Sequence, residues 1–253
     1  MVSCPVCSDI QNKVWGIRNS HTIYECLSCK VAFFDCEKTK KADYQNYHCY
    51  ADRWEKSDID YELRIRRNKI KKQLAHIGKY SHGKKLLDIG AGFGYYCKVA
   101  CEEGWDARAV EVSAPAVSIG KKFLDTHYAE LKDVSDESID VISCHHVLEH
   151  IDRPAEFIQN LSSKLKHRGI LVIHTPHREP LSFLLRNLIA KYTHYRPGML
   201  CSLYMPEHVL GFTKESLTNA LKLFGFTPIE VKTRSMWSAY YDPFFIRNFI
   251  RNK

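Results

Sequence analysis

The 253-residue sequence lacks an apolar run of about 18 residues, the length that a membrane-spanning helix requires. Its opening residues, MVSCPVCSDI, do not show the basic and then apolar order of an export signal. Internal repeats and low-complexity tracts are also missing. Because 45% of the residues are hydrophobic and 26% are charged, the chain can form a core. We therefore expect a folded cytoplasmic protein without a transmembrane segment.

Cysteine, by contrast, is abundant, with ten residues. Disulfide-rich folds are usually short secreted chains, so we expect a reducing compartment and cysteines that bind metal or pack. Four cysteines form the pairs CPVC and CLSC, which 18 residues separate. This spacing is typical of a closed Cys4 zinc ribbon, and it predicts structural Zn²⁺ bound by Cys4, Cys7, Cys26 and Cys29. A redox-active CxxC is the alternative, and the presence of two pairs argues against it.

The remaining cysteines are predicted to pack as small apolar side chains: Cys36, Cys49, Cys97, Cys101, Cys144 and Cys201.

The periodicity of the apolar residues divides the chain into two predicted domains. Residues 1–60 form the zinc-ribbon module and a linker, with little core of their own. Residues 61–253 form the second domain, which begins with a basic amphipathic helix. From residue 84 onward, buried strands alternate with helices. This alternation predicts an α/β fold with a doubly wound, mostly parallel sheet.

The pattern weakens after Pro176. The aromatic segment 177–211 is the expected substrate lid. Its stretch REPLSFLLRNLIAKY is amphipathic and is predicted to pack over the active site, with membrane-surface contact as the alternative. The end of the chain, FFIRNFIRNK, leaves the same two interpretations open. Between them, Thr213 is predicted to cap a last helix, and the residues after it to close the sheet as a hairpin.

The string LLDIGAGFG is the strongest chemical signal in the chain. A buried strand ends at Gly90, Gly92 and Gly94 and runs into a helix, so the backbone can turn sharply and approach a ligand closely. Glu111 ends the next strand, 21 residues after Gly90, where a carboxylate can accept hydrogen bonds from ribose hydroxyls. A dinucleotide fingerprint would have glycine where Tyr95 stands.

LLDIGAGFG resembles motif I of the class I S-adenosylmethionine-dependent methyltransferases. The resemblance continues in family order through AVEVS, DESIDVISCHHVLEHI, KLKHRG and GILVIHTP, over about residues 80–235. It implies a Rossmann-like, seven-stranded sheet, with S-adenosylmethionine as the cofactor. The residues that it assigns to the cofactor are Asp88, Gly90, Ala91, Gly92, Phe93, Gly94, Glu111 and His145. Asp125 is the candidate for reading the adenine.

The string CPVC…YECLSCKVAFF, in turn, resembles the N-terminal region of bacterial zinc-ribbon methyltransferases from sugar and natural-product pathways.

Histidines and one glutamate are the candidates for the chemistry. His146, Glu149 and His150 follow the strand IDVISC, and His208 lies in PEHVLGF. In one interpretation, His150 or His208 is a general base. In a second, His146, Glu149, His150 and His208 bind a divalent cation, because the set resembles the metal site of small-RNA 2′-O-methyltransferases and some quinone O-methyltransferases, with His146 in place of a glutamate. In the third, these residues are structural.

The leading hypothesis is methyl transfer from S-adenosylmethionine to an oxygen of a small-molecule or glycan acceptor, sugar-like or nucleotide-linked. The first alternative is an RNA methyltransferase, since RIRRNKIKK at 64–72 and a net charge of +8 suit phosphates. The sequence has no NPPY-like motif and no aromatic RNA platform to support it. The second alternative is a protein that binds S-adenosylmethionine without catalysis.

Overall fold

The computed structural model describes residues 2–18, 21–35, 43, 54–178, 208–233 and 249–251. Most of the predicted lid lies outside these residues, as do Cys36, Cys49, Cys201 and the second arm of the predicted hairpin. None of the described helices is both long enough and apolar enough to cross a membrane.

Ten strands are described: β1 (Asn12–Arg18), β2 (His21–Cys26), β3 (Ala32–Phe34), β4 (Lys85–Ile89), β5 (Asp106–Val110), β6 (Ile139–His145), β7 (Leu165–His174), β8 (Leu210–Gly211), β9 (Phe226–Pro228) and β10 (Phe249–Arg251). The described α-helices are α1 (Lys56–Ile77), α2 (Tyr95–Glu102), α3 (Ala114–Leu124), α4 (Pro154–Lys164) and α5 (Lys214–Lys222). Short 3-10 helices cover Leu131–Asp133 and Leu148–His150.

The chain divides into two compact units that do not follow chain order. The ribbon unit comprises Met1–Ala42, His146–Gln159 and Ile173–Arg247. The sheet unit comprises Asp43–His145, Asn160–Val172 and Asn248–Lys253. The cysteine pairs therefore share a unit with later parts of the chain. The boundary at residue 60 stays a prediction.

The ribbon unit is built on an antiparallel sheet in the order β1-β2-β3-β8. Among the described residues, one buried apolar cluster of this unit comprises Ile23, Ala32 and Phe34, with Trp15 packed against them. Other apolar side chains of the unit, such as Phe33, are also buried. Thr213 caps α5 as predicted, and its hydroxyl accepts the Ser216 amide hydrogen at 3.1 Å.

The sheet unit has the alternating α/β order that the sequence predicts. Its strands follow the order β5-β4-β6-β7-β10, with β4 parallel to both β5 and β6 and with β10 antiparallel to β7. Four of them make the parallel part of a Rossmann-like fold. The described residues of this unit contain five strands, so the count of seven stays a prediction.

Helix α1 shows how the amphipathic pattern becomes packing. The side chains on its apolar face are buried in the core of the sheet unit: Ile59, Leu63, Ile70, Leu74 and Ile77. Farther along the chain, α4 ends at Lys164, and Leu165 begins β7. The apolar spacing predicts that Leu165 continues the helix, whereas the structure places it at the start of the strand. An apolar residue is buried in either case, so periodicity alone does not distinguish the two.

Replacing Leu74 by Ala should lower the free energy of unfolding by about 2–5 kcal/mol, because it leaves a cavity under α1. Leu74 is 2% exposed, whereas Ile65 on the same helix is 52% exposed. Ile65→Ala is therefore the control, with an expected change within about 0.5 kcal/mol. Urea unfolding followed by circular dichroism measures both. Equal effects of the two substitutions would contradict the assigned buried face.

Candidate functional site

The glycine-rich turn follows β4 in the sheet unit. Gly90, Gly92 and Gly94 have φ angles of +68°, +55° and +88°, in the left-handed region that favours glycine. Gly94 is also the N-cap of α2. The amide groups of Gly90 and Ala91 donate to the Val110 carbonyl at 2.8 and 3.2 Å. The turn is thereby fixed to the end of the neighbouring strand β5.

Two side chains that sequence reasoning missed hold this turn from the other side. The Tyr128 hydroxyl donates to the Gly92 carbonyl at 2.8 Å, and the Thr126 hydroxyl donates to the Phe93 carbonyl at 3.3 Å. A Cβ atom on Gly94 would overlap the Thr126 side chain. Thr126 and Tyr128 alternate in the extended segment after α3, and Tyr128 forms a parallel bridge to Ala109. The alternation of polar side chains at Thr126 and Tyr128 is the feature of the sequence that could have indicated their contact with the turn.

Glu111 lies where the sequence places it, against the turn. Its Oε2 accepts the Gly92 amide hydrogen at 2.8 Å, and its Oε1 accepts those of Val112 and Ser113 at the same distance. An ionised carboxylate offers about four lone-pair positions. The three backbone amides orient the carboxylate and leave it with acceptor capacity for a ligand hydroxyl.

Asp88 is buried at the end of β4, with 4% exposure. In the parallel register it lies opposite Ser143, whose hydroxyl donates to its Oδ1 at 2.6 Å. The pKa of Asp88 is raised to about 7: burial is the largest cause, the Ser143 hydrogen bond opposes it, and the nearby Glu111 charge adds to it. Ser143 is a further residue that the sequence analysis missed, and aligning β6 with β4 would have indicated it.

The other predicted cofactor residues differ in what they present. The Phe93 side chain is buried in the core, with its ring centroid 5.0 Å from that of Trp54. Only the backbone of Phe93 is therefore available to a ligand at the turn. His145 ends β6, and its ring lies edge-on to Tyr96 at 4.9 Å. Asp125 is the exposed, left-handed C-cap of α3, with φ +53°. Its role in reading the adenine stays a prediction.

These observations fit S-adenosylmethionine. The positive φ angles let the backbone turn beside a ligand, the Glu111 carboxylate retains acceptor capacity, and a buried carboxyl is available for a cationic group.

In the ribbon unit, the two cysteine pairs form equivalent knuckles. The Ser8 amide donates to the Cys4 carbonyl at 2.9 Å, and the Lys30 amide donates to the Cys26 carbonyl at 3.0 Å. Ser8 and Lys30 have nearly the same positive φ, +62° and +63°. The two CxxC turns therefore have the same backbone geometry, as expected of two turns that bind one metal ion.

The four cysteine sulfurs converge within 4.8 Å of one another. Cys4 and Cys29 are 3.5 Å apart, and so are Cys7 and Cys26, so the close pairs join the two knuckles. Zn–S bonds of about 2.3 Å in a tetrahedron place sulfurs about 3.8 Å apart. The arrangement therefore fits zinc, and the pairing across knuckles disfavours redox chemistry within one CxxC.

The thiol hydrogen bonds are asymmetric. The hydrogen bond from Cys29 lowers the pKa of Cys4 to about 6, and the same bond raises the pKa of Cys29. Away from this cluster, Cys97 and Cys144 are buried as predicted, whereas Cys101 is exposed. Cys101 lies in the last turn of the short helix α2. Its spacing of four residues from the buried Cys97 does not indicate that this position is exposed.

A second group of ligand atoms lies in the ribbon unit. Side-chain atoms of Glu149, His150 and His208 approach within 4.8 Å of one another, and the two imidazole rings are 4.7 Å apart. His146 is not part of this group, but its Nδ1 lies 3.4 Å from Glu149 Oε1. The structure thus brings together three of the four residues predicted for a second metal, with the fourth beside the carboxylate.

Glu149 is 1% exposed, and among the described residues neither carboxylate oxygen has a partner with hydrogen-bond geometry. Burial alone would raise its pKa, but His146, His150 and His208 outweigh this effect and lower it. The closest of the three is His146, at the hydrogen-bonding side of the carboxylate. A buried carboxylate with three histidines around it has the composition of a site that receives a cation or a polar substrate group.

Comparison with known proteins identifies the family. Residues 62–231, more than half of the chain, match a family described as "Methyltransferase domain". The chain belongs to this family. Its fold is the class I, S-adenosylmethionine-dependent one.

This methyltransferase is 33% identical over 121 residues to the mitochondrial ubiquinone biosynthesis O-methyltransferase of Schizosaccharomyces pombe, over 44% of each chain. It is 24% identical over 168 residues to the ubiquinone biosynthesis O-methyltransferase of Rickettsia akari, over 60% of this chain and 66% of that one. It thus spans less than two thirds of the length of these curated relatives.

Among solved structures, the magnesium protoporphyrin IX methyltransferase of Synechocystis PCC 6803, with bound S-adenosylhomocysteine, matches with a TM-score of 0.53. The identity is 17%, over 80% of this chain and 91% of that one, so the likeness concerns the fold.

Asp88→Asn should remove one source of pH-dependent stability. The pKa of Asp88 in the fold, about 7, lies above the ordinary 3.8, so folding takes up a proton between these values. The contribution is complete below about pH 4 and is lost as the pH rises through 7, by about 1.4 kcal/mol per pH unit. Urea unfolding without cofactor should show this decline in the unsubstituted protein and not in Asp88→Asn.

The exposed Asp106 at the start of β5 provides the control. Asp106→Asn should keep the decline. An Asp88→Asn variant whose stability falls with pH as steeply as that of the unsubstituted protein would show that Asp88 is already ionised in the fold.

Proposed function

We propose that this chain transfers the methyl group of S-adenosylmethionine to a hydroxyl oxygen of a small molecule. The observation that carries the proposal is the glycine turn with Glu111 bonded to it, in a chain of the methyltransferase family. The curated relatives named above are O-methyltransferases of ubiquinone biosynthesis, which favours oxygen as the methylated atom.

Each cofactor residue has a proposed part in binding. Glu111 accepts hydrogen bonds from the ribose hydroxyls, and the backbone from Gly90 to Gly94 lies against the methionine part. Asp88 receives the cationic amino group, which would favour its ionised form and so release the proton that burial retains. His145 lines the site at the end of β6.

The bound cofactor supplies a methyl group on a sulfonium, and the sulfur leaves as the neutral thioether of S-adenosylhomocysteine. The protein must orient the acceptor and remove its hydroxyl proton. We assign this task to Glu149, His150 and His208, which would hold a divalent cation that lowers the pKa of the acceptor hydroxyl. In the alternative without a cation, His208 or His150 accepts the proton. His146 supports the Glu149 carboxylate.

Structural Zn²⁺ is proposed at Cys4, Cys7, Cys26 and Cys29, because their sulfurs already lie at near-tetrahedral spacing. Zinc requires reduced thiolates, and this supports the cytoplasm as the compartment.

A sugar-like acceptor, free or nucleotide-linked, is the finer proposal. The ribbon unit has a cleft of about 510 Å³, a volume in the range of small-molecule sites. Charged side chains of both signs and hydroxyl groups line it, among them Lys30, Glu215 and Thr213. Such a lining suits a polyhydroxylated acceptor better than an apolar ring.

Glu149→Gln and His208→Ala should each lower the rate of methyl transfer about a hundredfold or more, since either change removes a group that activates the acceptor. Production of S-adenosylhomocysteine from labelled cofactor, with hydroxylated sugars, nucleotide sugars and catechols as acceptors, measures the rate. Glu156→Gln changes an exposed glutamate on α4 and is the matched control.

A chelator separates the two forms of the proposal. Under a treatment that leaves one zinc per chain, activity that disappears and returns with Mg²⁺ or Mn²⁺ supports the cation. Activity that ignores the chelator but requires a histidine supports the base. Calorimetric binding of S-adenosylmethionine without turnover of any acceptor would favour the non-catalytic alternative.

The RNA alternative loses support from α1, because several of its basic side chains are paired with acids. Lys71 Nζ lies 2.7 Å from Glu103 Oε1, and Arg66 is bonded to Glu62. Arg67 pairs with Glu102 on α2. These pairs occupy three of the six basic side chains in RIRRNKIKK, so fewer of them are available to bind phosphates.

RNA binding should accordingly depend weakly on salt. We expect log K to fall with log[salt] with a slope of magnitude about 2 or less. Dedicated binders that make about 6–10 phosphate contacts show a much steeper slope. Fluorescence anisotropy with a labelled RNA between about 50 and 200 mM salt measures the slope. A steep slope combined with methyl transfer to RNA would replace the small-molecule proposal.

A further inference from the structure

The strand β8, which begins two residues after His208, is joined to the zinc ribbon. In the ribbon unit β3 pairs with β8, in the register Ala32 to Gly211 and Phe33 to Leu210. β3 begins three residues after Cys29. A strand of only two residues, such as β8, has little stability of its own, so its position depends on what it pairs with.

Val209, the neighbour of His208, is bonded on both sides. Its carbonyl accepts the Phe34 amide hydrogen at 3.1 Å, and its amide donates to the Glu149 carbonyl at 2.8 Å. One residue therefore connects the ribbon to the 3-10 helix that carries Glu149 and His150. These two hydrogen bonds constrain where the main chain beside His208 lies relative to Glu149 and His150.

Arg178 makes a second connection, directly to a cysteine knuckle. Its guanidinium donates to the Lys30 carbonyl at 3.1 Å, and Lys30 follows Cys29 in the chain. Its backbone amide donates to the Phe212 carbonyl at 2.8 Å, just beyond β8. Arg178 thus bonds both to the cysteine knuckle and to the residue that follows β8.

The surroundings of Arg178 fix its guanidinium. The side chain is 5% exposed, it bonds to the carboxylate of the equally buried Glu25, and it lies over the Trp15 ring at 5.4 Å from the centroid. Glu25 also pairs with Lys13 at 2.8 Å. A planar guanidinium can bond a carboxylate and a carbonyl while stacking on an indole, and a lysine ammonium cannot do all three.

We propose that Arg178 is a positioning residue, through which zinc bound at the four cysteines sets the placement of His208 beside Glu149 and His150. The proposal rests on the proposed function for the role of those three residues, but the placement itself can be measured without activity. In this arrangement the zinc ribbon is part of the scaffold of the acceptor site.

The test uses the full chain with one zinc bound and the double variant Arg178→Met/Glu25→Gln, which leaves no unpaired buried charge. We expect hydrogen exchange of the Val209 amide to become at least about tenfold faster. Mn²⁺ affinity, followed by electron paramagnetic resonance, should fall about tenfold, the low end for groups that support metal ligands. Zinc content should stay at one per chain, and Arg178→Lys should not restore either value.

Arg67→Met/Glu102→Gln is the matched control, because it removes an Arg–Glu pair in the sheet unit. It should leave Val209 exchange and Mn²⁺ affinity unchanged. A poorly folded Arg178 variant would also exchange faster, so the unsubstituted protein is compared before and after removal of zinc. Zinc loss should speed Val209 exchange in the same way.

Val209 exchange that is insensitive both to zinc and to the Arg178 substitution would overturn the proposal. The proposed function fails separately: an unsubstituted protein that binds no Mn²⁺ and methylates no hydroxylated acceptor would refute that function. A zinc-dependent Val209 amide in such a protein would still support the positioning role.

Discussion

The two main-chain hydrogen bonds of Val209 are the constraint on which the ribbon unit depends. They join β3, which follows the cysteine knuckles, to the turn that carries Glu149 and His150. β8 has only two residues and therefore little stability as an isolated strand. Its position depends on its pairing with β3 and on the main-chain bonds of the neighbouring Val209.

In the proposed function, the sheet unit presents two carboxylates, Asp88 and Glu111, to one ligand. Backbone amides orient Glu111, and burial keeps the pKa of Asp88 high. A cationic ligand would change the balance at Asp88, because an opposite charge favours the ionised form. The mutual repulsion of Asp88 and Glu111 is thus largely avoided until a cation arrives.

Local motifs could be predicted from the sequence because their geometry is encoded within a few residues. The glycine turn needs positive φ angles that glycine adopts freely, the CxxC knuckles repeat one turn, and Thr213 caps its own helix. Ser143, Tyr128 and Arg178 could not be found this way. They act through strand register or through contacts with residues far away in the chain, such as the 148 positions between Arg178 and Lys30.

The candidate catalytic residues stand between these cases. The spacing of Glu149 and His150 is local, but their meeting with His208 depends on the pairing of β3 with β8. The resemblance to a known metal site groups His146 with them, whereas in the fold His146 lies outside the group and its Nδ1 is 3.4 Å from Glu149 Oε1. Three spatial neighbours and one supporting residue could be distinguished only in the folded chain.

The two candidate metal sites of the ribbon unit differ in a way that gives each a separate task. Four thiolates are soft ligands that surround zinc completely, so a metal there has no position left for a substrate. One carboxylate and two imidazoles supply three harder ligands, and a divalent cation bound to them would keep positions open for acceptor oxygens. Because ligand type and number separate the sites, a structural zinc and a second cation can share one unit without exchanging roles.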